Sequence, residues 1–173
     1  MPYQESKTIV ARGQVQLRYL HRATKPASVL QCLIVSADSA RRTMFERGAC
    51  DGGWKTSLAV DAAEAIAHIS RNFVQLAIVD LEGRSVGTFQ GVVQRLMASS
   101  GLLLIVCGNE GHLEEEEVWA RQSGAWLYLP GVVESTNFAL LCGEARHIAE
   151  RLANSNVPPR ASEPTAAQRR RYP

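Results

Sequence analysis

The sequence predicts an α/β fold: a doubly wound, five-stranded parallel sheet with helices on both faces. Three observations carry that prediction. Short apolar runs alternate with helix-capped or amphipathic stretches five times between residues 29 and 152. The first, third and fourth runs are nearly continuous in apolar residues, as strands are when helices cover both faces of a sheet. Alternation of this kind closes through right-handed crossovers, which makes the sheet parallel.

The elements follow in order. Residues 30–35 form the first buried strand, and Asp38-Ser39 offers an N-cap for a helix to about Arg47, closed by Gly48 and the Gly52-Gly53 pair. Residues 56–60 form a second, weaker strand, and Asp61 caps a helix through Ile69. The third strand is 76–79, with Gly83 and Gly87 in the loop after it and a helix from about Phe89 to Ser99. The fourth strand, 102–106, leads to a helix over 114–122 that Gly124 ends. The fifth strand, 125–129, stops at Pro130-Gly131. The last helix spans about 135–153, with Phe138, Leu141, Cys142, Ala145, Ile148, Ala149 and Leu152 on one stripe.

Outside this block the composition changes. Residues 1–28 hold five Lys/Arg against Glu5, and residues 153–173 hold four Arg against Glu163. The middle is left with ten basic and fifteen acidic residues, so basic arms flank an acidic domain. Val15, Leu17 and Tyr19 alternate with polar residues, as one strand or hairpin would, and the proline-containing tail has no apolar period and is expected to be disordered. No aromatic residues interleave with a continuous basic stripe, which argues against nucleic acid as a partner. The N-terminus lacks an apolar signal core, and the longest apolar run, 102–107, is too short to cross a membrane. A soluble, cytoplasmic protein is expected. Cys32, Cys50, Cys107 and Cys142 form no CxxC pair and no zinc pattern, and three of them lie in apolar runs as small buried residues.

With the strand order 2-1-3-4-5, a flavodoxin-like arrangement, ligands bind beyond the carboxyl ends of strands one and three. Ser36, Ala37 and Asp38 follow strand one. Asp80, Leu81, Glu82 and Gly83 end strand three, Cys107-Gly108-Asn109 follow strand four, and Pro130-Gly131 follow strand five. Asp80 is the distinctive residue, an acid closing the central apolar strand.

At these residues the chain resembles the receiver domain of response regulators, the CheY-like family, over roughly 29–152. The resemblance rests on Cys32-Leu33-Ile34-Val35-Ser36-Ala37-Asp38, Asp61-Ala62-Ala63-Glu64-Ala65-Ile66, Leu76-Ala77-Ile78-Val79-Asp80, and Ser123-Gly124-Ala125 followed by Tyr128. The family's chemistry is phosphoryl transfer from a histidine kinase to an aspartate, and Asp80 matches the phosphoacceptor. The family's acidic pair that binds Mg²⁺ matches Ser36 and Ala37, with Asp38 next along. The hydroxyl after strand four matches Cys107. The lysine after strand five matches Gly131, or Leu129 with a one-residue gap. Tyr128 matches the aromatic switch.

Phosphoryl transfer depends on positioned charge, and here the lysine and the acidic pair are replaced. The resemblance therefore implies a degenerate receiver, a pseudo-receiver in two-component signalling, rather than an enzyme. It would act as a stand-alone protein–protein interaction module, with phosphorylation absent or weak, no cofactor, and Mg²⁺ held at most weakly by Asp80 and Asp38. Two alternatives stay open. One is a working phosphorelay receiver modified at Asp80. The other is a small flavodoxin-fold enzyme or nucleotide binder, for which Cys107 would need His68, His112 or His147 beside it; the loop 36–39 has no glycine to cradle a phosphate.

The resemblance also implies a partner face of helix four, strand five and helix five, used for a signalling protein or a homodimer. Trp119, Tyr128, Glu144, Arg146, His147, Glu150 and Arg151 are expected there. Trp54 is expected to cover a sheet edge, and Glu114–Glu117 to be a solvated first turn stabilised by the helix dipole.

Overall fold

The computed structural model describes residues 29–109, 114–131 and 135–155. The elements are β1 (Gln31–Val35), α1 (Ser39–Asp51), β2 (Lys55–Ala59), α2 (Ala62–Ile69), β3 (Leu76–Asp80), α3 (Val86–Met97), β4 (Leu103–Cys107), α4 (Glu114–Gln122), β5 (Leu127–Leu129) and α5 (Ser135–Ser155). All strand pairs are parallel and the order is β2-β1-β3-β4-β5, so the flavodoxin-like topology expected from the sequence is the one observed. The expected N-terminal strand or hairpin, and the tail from 156 onward, lie outside the described residues.

Alternation along the strands builds two cores. Leu33, Val35, Ala77, Val79, Leu104 and Val106 point to one face, where Ala65 of α2, Phe89, Val92, Val93 and Leu96 of α3 and Ala120 of α4 cover them. Cys32, Ile34, Leu76, Ile78, Ile105 and Cys107 point to the other, under Phe45 and Ala49 of α1 and Phe138, Cys142, Ala145 and Ala149 of α5. The Phe45 and Phe138 rings meet at 5.1 Å between centroids. Each such buried aromatic contributes roughly 2–3 kcal/mol of apolar burial.

Helix α1 does not stop near Arg47. It continues to Asp51 because Gly48 is a contact point rather than a terminator: a Cβ there would stand 2.7 Å from Cδ1 of Phe138. One turn on, a Cβ at Gly52 would stand 2.6 Å from Cβ of Cys142. These two glycines let α1 and α5 pack closely. Trp54 is buried rather than laid over an edge, and its indole N–H donates to the Cys142 carbonyl at 2.8 Å. Helix α3 starts at Val86, after Ser85, and so gains a turn over the expected start at Phe89. The last strand is shorter than expected, and α5 runs two residues further, to Ser155. Asp61 caps α2 through a bond from the Glu64 amide at 2.9 Å, as its position before the helix predicts. Among the described residues, no helix is long and apolar enough to cross a membrane.

Candidate functional site

The carboxyl ends of β1, β3 and β4 converge on Asp80. Its Cα pairs with Cys107 in the β3–β4 register, and its Oδ2 accepts a 2.7 Å bond from the Ser36 hydroxyl at the end of β1. The switch-point geometry inferred from the order of apolar runs is therefore present. Asp80 is buried, with its side chain 1% exposed.

A buried carboxylate needs a counter-charge or enough hydrogen-bond donors to replace its water. Arg41 supplies a charge and donors together. Its Nη2 donates to Oδ1 of Asp80 at 2.6 Å, and its Nε lies 3.1 Å from Oδ1 and 3.0 Å from Oδ2. The Glu82 amide donates to Oδ1 at 3.3 Å. Both carboxylate oxygens are thus occupied. Nη1 of Arg41 lies 3.4 Å from Oε2 of Glu82, and its guanidinium carbon sits 5.6 Å from the centre of the Phe45 ring. Burial works against the guanidinium charge, but the bonds and charge of Asp80 outweigh it, so the pKa of Arg41 is raised and the cation is secured.

The position of Arg41 follows from the helix. Asp38, in extended backbone, caps α1 by accepting from the Arg41 amide at 2.7 Å. Arg41 then shares the inward stripe with Phe45, Gly48 and Ala49, at spacings of four, seven and eight residues. This places a cation over the end of β3. The signal was present in the sequence, since an arginine on the buried stripe of a helix must have an anion beneath it.

The sequence-predicted site residues divide. Ser36 and Cys107 flank Asp80. Asp38 does not lean in as a metal ligand: it is exposed and spends its carboxylate on the helix cap. Ala37 is exposed, and Gly131 takes a positive φ of 73° after β5. Among the described residues, no group of three or more metal-ligating side chains converges. Cys107 is fully buried, and burial, with the Asp80 charge adding to it, pushes its thiol pKa well up; a thiol held protonated is no nucleophile. His147 is exposed on α5, while His112 lies outside the described residues.

A second polar cluster lies at the end of β4. Of the four glutamates that open α4, Glu114 and Glu115 are exposed, but Glu116 is buried, which corrects the expectation of a wholly solvated turn. Glu116 and Ala120, four residues apart, form the inward face of α4. Oε2 of Glu116 accepts the Asn109 amide at 2.9 Å and the Tyr128 hydroxyl at 3.3 Å, and Oε1 accepts the Asn109 side-chain amide. Oδ1 of Asn109 in turn accepts the Gly83 amide at 2.8 Å, tying this cluster to the loop that follows Asp80. Burial, then the neighbouring Glu116 carboxylate, pushes the Tyr128 phenol up to about 12.

The side chains expected on the partner face divide. Trp119 turns toward α3 and lines a groove with Gln90, Val93, Gln94 and Met97. Arg146 reaches the turn after α1, where it donates to the Gly53 carbonyl, and pairs along α5 with Glu150 at 3.0 Å. Its place four residues after Cys142, which packs on Gly52, sets that direction. Trp126, just before β5, is 37% exposed, and Glu117 pairs with Arg121 at 2.5 Å along α4. Glu144, His147 and Arg151 remain exposed on α5.

No protein-family model and no curated protein matches the chain. Solved structures do match it in fold. A CheY-like response regulator receiver domain protein from Methanospirillum hungatei superposes with a TM-score of 0.62 at 21% identity, covering 72% of this chain and 98% of that one. The signal receiver domain of a putative Luxo repressor protein from Vibrio parahaemolyticus gives 0.63 at 16%, covering 73% and 97%. The chemotaxis response regulator CheY4 of Vibrio cholerae gives 0.58 at 18%, covering 68% and 99%. The chain has the CheY-like receiver fold.

Proposed function

We propose that this protein is a receiver-like signalling domain that works as a protein–protein interaction module, with phosphorylation at Asp80 absent or weak. The observation that carries this reading is the Arg41–Asp80 pair. A phosphoacceptor aspartate attacks phosphorus with a carboxylate oxygen while cations neutralise the incoming group. Here the oxygens of Asp80 already accept from Arg41, Ser36 and the Glu82 amide, and the cation belongs to the chain itself. Phosphorylation would first have to break a buried ion pair, and Ser36 and Ala37 offer no carboxylate pair for Mg²⁺.

With the switch input closed, the module acts through its surface, by docking a signalling protein or a second copy on the α4–β5–α5 side, where Trp126 offers an aromatic anchor and Glu117, Arg121, Glu144 and Arg151 a charged rim. Four free cysteines, three of them buried, accord with a reducing cytoplasm. Incubating the full chain with acetyl phosphate and Mg²⁺ and measuring intact mass tests the reading. Little or no phosphoryl adduct is expected. Stoichiometric labelling that Asp80→Asn abolishes would make this a working phosphorelay receiver instead.

A further inference from the structure

We infer that Glu116 is an internal latch that holds Tyr128 and Asn109, the residue just beyond β4, in one preset arrangement, so that the contact between α4 and β5 is fixed without any signal at Asp80. The inference deepens the proposed function and rests on it for its biological meaning, but its geometry stands apart. Glu116 is 3% exposed, although its neighbours Glu114 and Glu115 face solvent. A glutamate placed inward amid available surface positions must be held by its bonds, and those among the described residues reach across to other elements. It takes the backbone and side-chain amides of Asn109 after β4 and the phenol of Tyr128 on β5. The carboxylate therefore joins α4, the β4 loop and β5 at one point.

Gly108 makes the latch possible. A Cβ at that position would stand 2.7 Å from Oε2 of Glu116 and 2.8 Å from Cζ of Tyr128, and would collide with the phenol oxygen itself. Any other residue there would push the ring or the carboxylate away. The chain thus combines a vacated side chain at 108, an inward acid at 116 and a hydroxyl at 128. Asn109 extends the arrangement to Gly83, beside Glu82, which pairs with Arg41. The aromatic switch that the resemblance implies would require Tyr128 to move between two positions. A charged acceptor beneath its hydroxyl favours one of them.

The test is the reactivity of the Tyr128 phenol toward N-acetylimidazole in the full chain, followed by peptide mass mapping, with tyrosine amide as the free reference. Wild-type Tyr128 should acetylate slowly. Glu116→Gln and Glu116→Ala should speed its modification roughly tenfold or more, the change given by losing one charge-assisted hydrogen bond. Gly108→Ala should do the same from the other side, whereas Val118→Ala, an exposed position on the same helix, should leave the rate unchanged. The Glu116→Gln variant keeps the side-chain shape if Glu116→Ala fails to fold. Wild-type modification at the rate of tyrosine amide, or rates indifferent to both Glu116→Gln and Gly108→Ala, would overturn the latch. Acetyl phosphate labelling of Asp80 bears on the proposed function and not on this result, so the two can fail separately.

Discussion

Asp80 and Glu116 are both buried carboxylates, one at the end of β3 and one on the inner face of α4, and they are satisfied in different ways. Asp80 is met by a full positive charge, with a hydroxyl and one amide in support. Glu116 is met by neutral donors, two amides and a phenol. A carboxylate paired with a cation depends heavily on that one partner, because removing it strands a charge in a low-dielectric site. A carboxylate fed by several dipoles loses only a share of its support with any one of them. The first arrangement suits a site that must stay closed. The second suits a joint that holds several elements together.

The largest expected effect follows from the Asp80 side of this contrast. Arg41→Ala should destabilise the domain by about 3 kcal/mol, a fall of about 10 °C in Tm, because Asp80 is left buried with neutral donors only. Thermal unfolding followed by circular dichroism measures it. A loss below about 1 kcal/mol would mean that solvent reaches Asp80 and that the two carboxylates do not differ as described. Removing both partners in Arg41→Ala/Asp80→Ala should cost less than the two single changes added together, which a double-mutant cycle reads directly.

Glu116→Gln should cost less, about 1–2 kcal/mol, since the amide still accepts from Asn109 while one oxygen becomes a donor facing donors. Urea denaturation at neutral pH would show it. A cost equal to that of Arg41→Ala would erase the distinction between the cation-paired and dipole-paired acids.

The effect confined to the narrowest conditions is one of pH. The Tyr128 phenol is raised from its ordinary value near 10 to about 12 in the folded state, through burial and the Glu116 charge. A raised folded pKa means that the protonated phenol is favoured by folding. Its contribution is full below pH of about 10 and is lost as pH climbs through about 12. The stability difference between the wild type and Tyr128→Phe should shrink over that window. A difference that instead grew with pH would place the phenol away from Glu116.

The fold was legible because continuous apolar runs marked the central strands and Asp38 and Asp61 marked the starts of the first two helices. Asp80 was legible because an acid ending a central apolar strand has few structural reasons to be there. The rest depended on which way single charged residues turn. Arg41 and Glu116 each sit in a run of similar residues, Arg41-Arg42 and Glu114–Glu117, where composition suggests solvent. Only their spacing to Phe45 and Ala120 reveals the inward member. Gly48 read as a stop because glycine often ends helices, yet here it serves close packing against a residue far along the chain. The reach of Arg146 to the Gly53 carbonyl was not legible either, because sequence spacing does not bring that turn to mind.

That close packing has a consequence for how the chain comes to be folded. The Trp54 indole and the Cys142 carbonyl are 88 residues apart in sequence, and the Gly48–Phe138 contact spans a similar distance. One face of the sheet is therefore sealed by the first helix together with the last. A ribosome that has released α1 through β5 has made a sheet with one side half bare, its Ile34, Ile78 and Ile105 waiting for α5. Contacts this far apart in sequence raise the contact order, and high contact order goes with slow folding. The nascent domain thus stays sticky until its final helix emerges. Its window of exposure to chaperones, or to misassociation with a neighbour, is set by the time needed to synthesise and dock that one element.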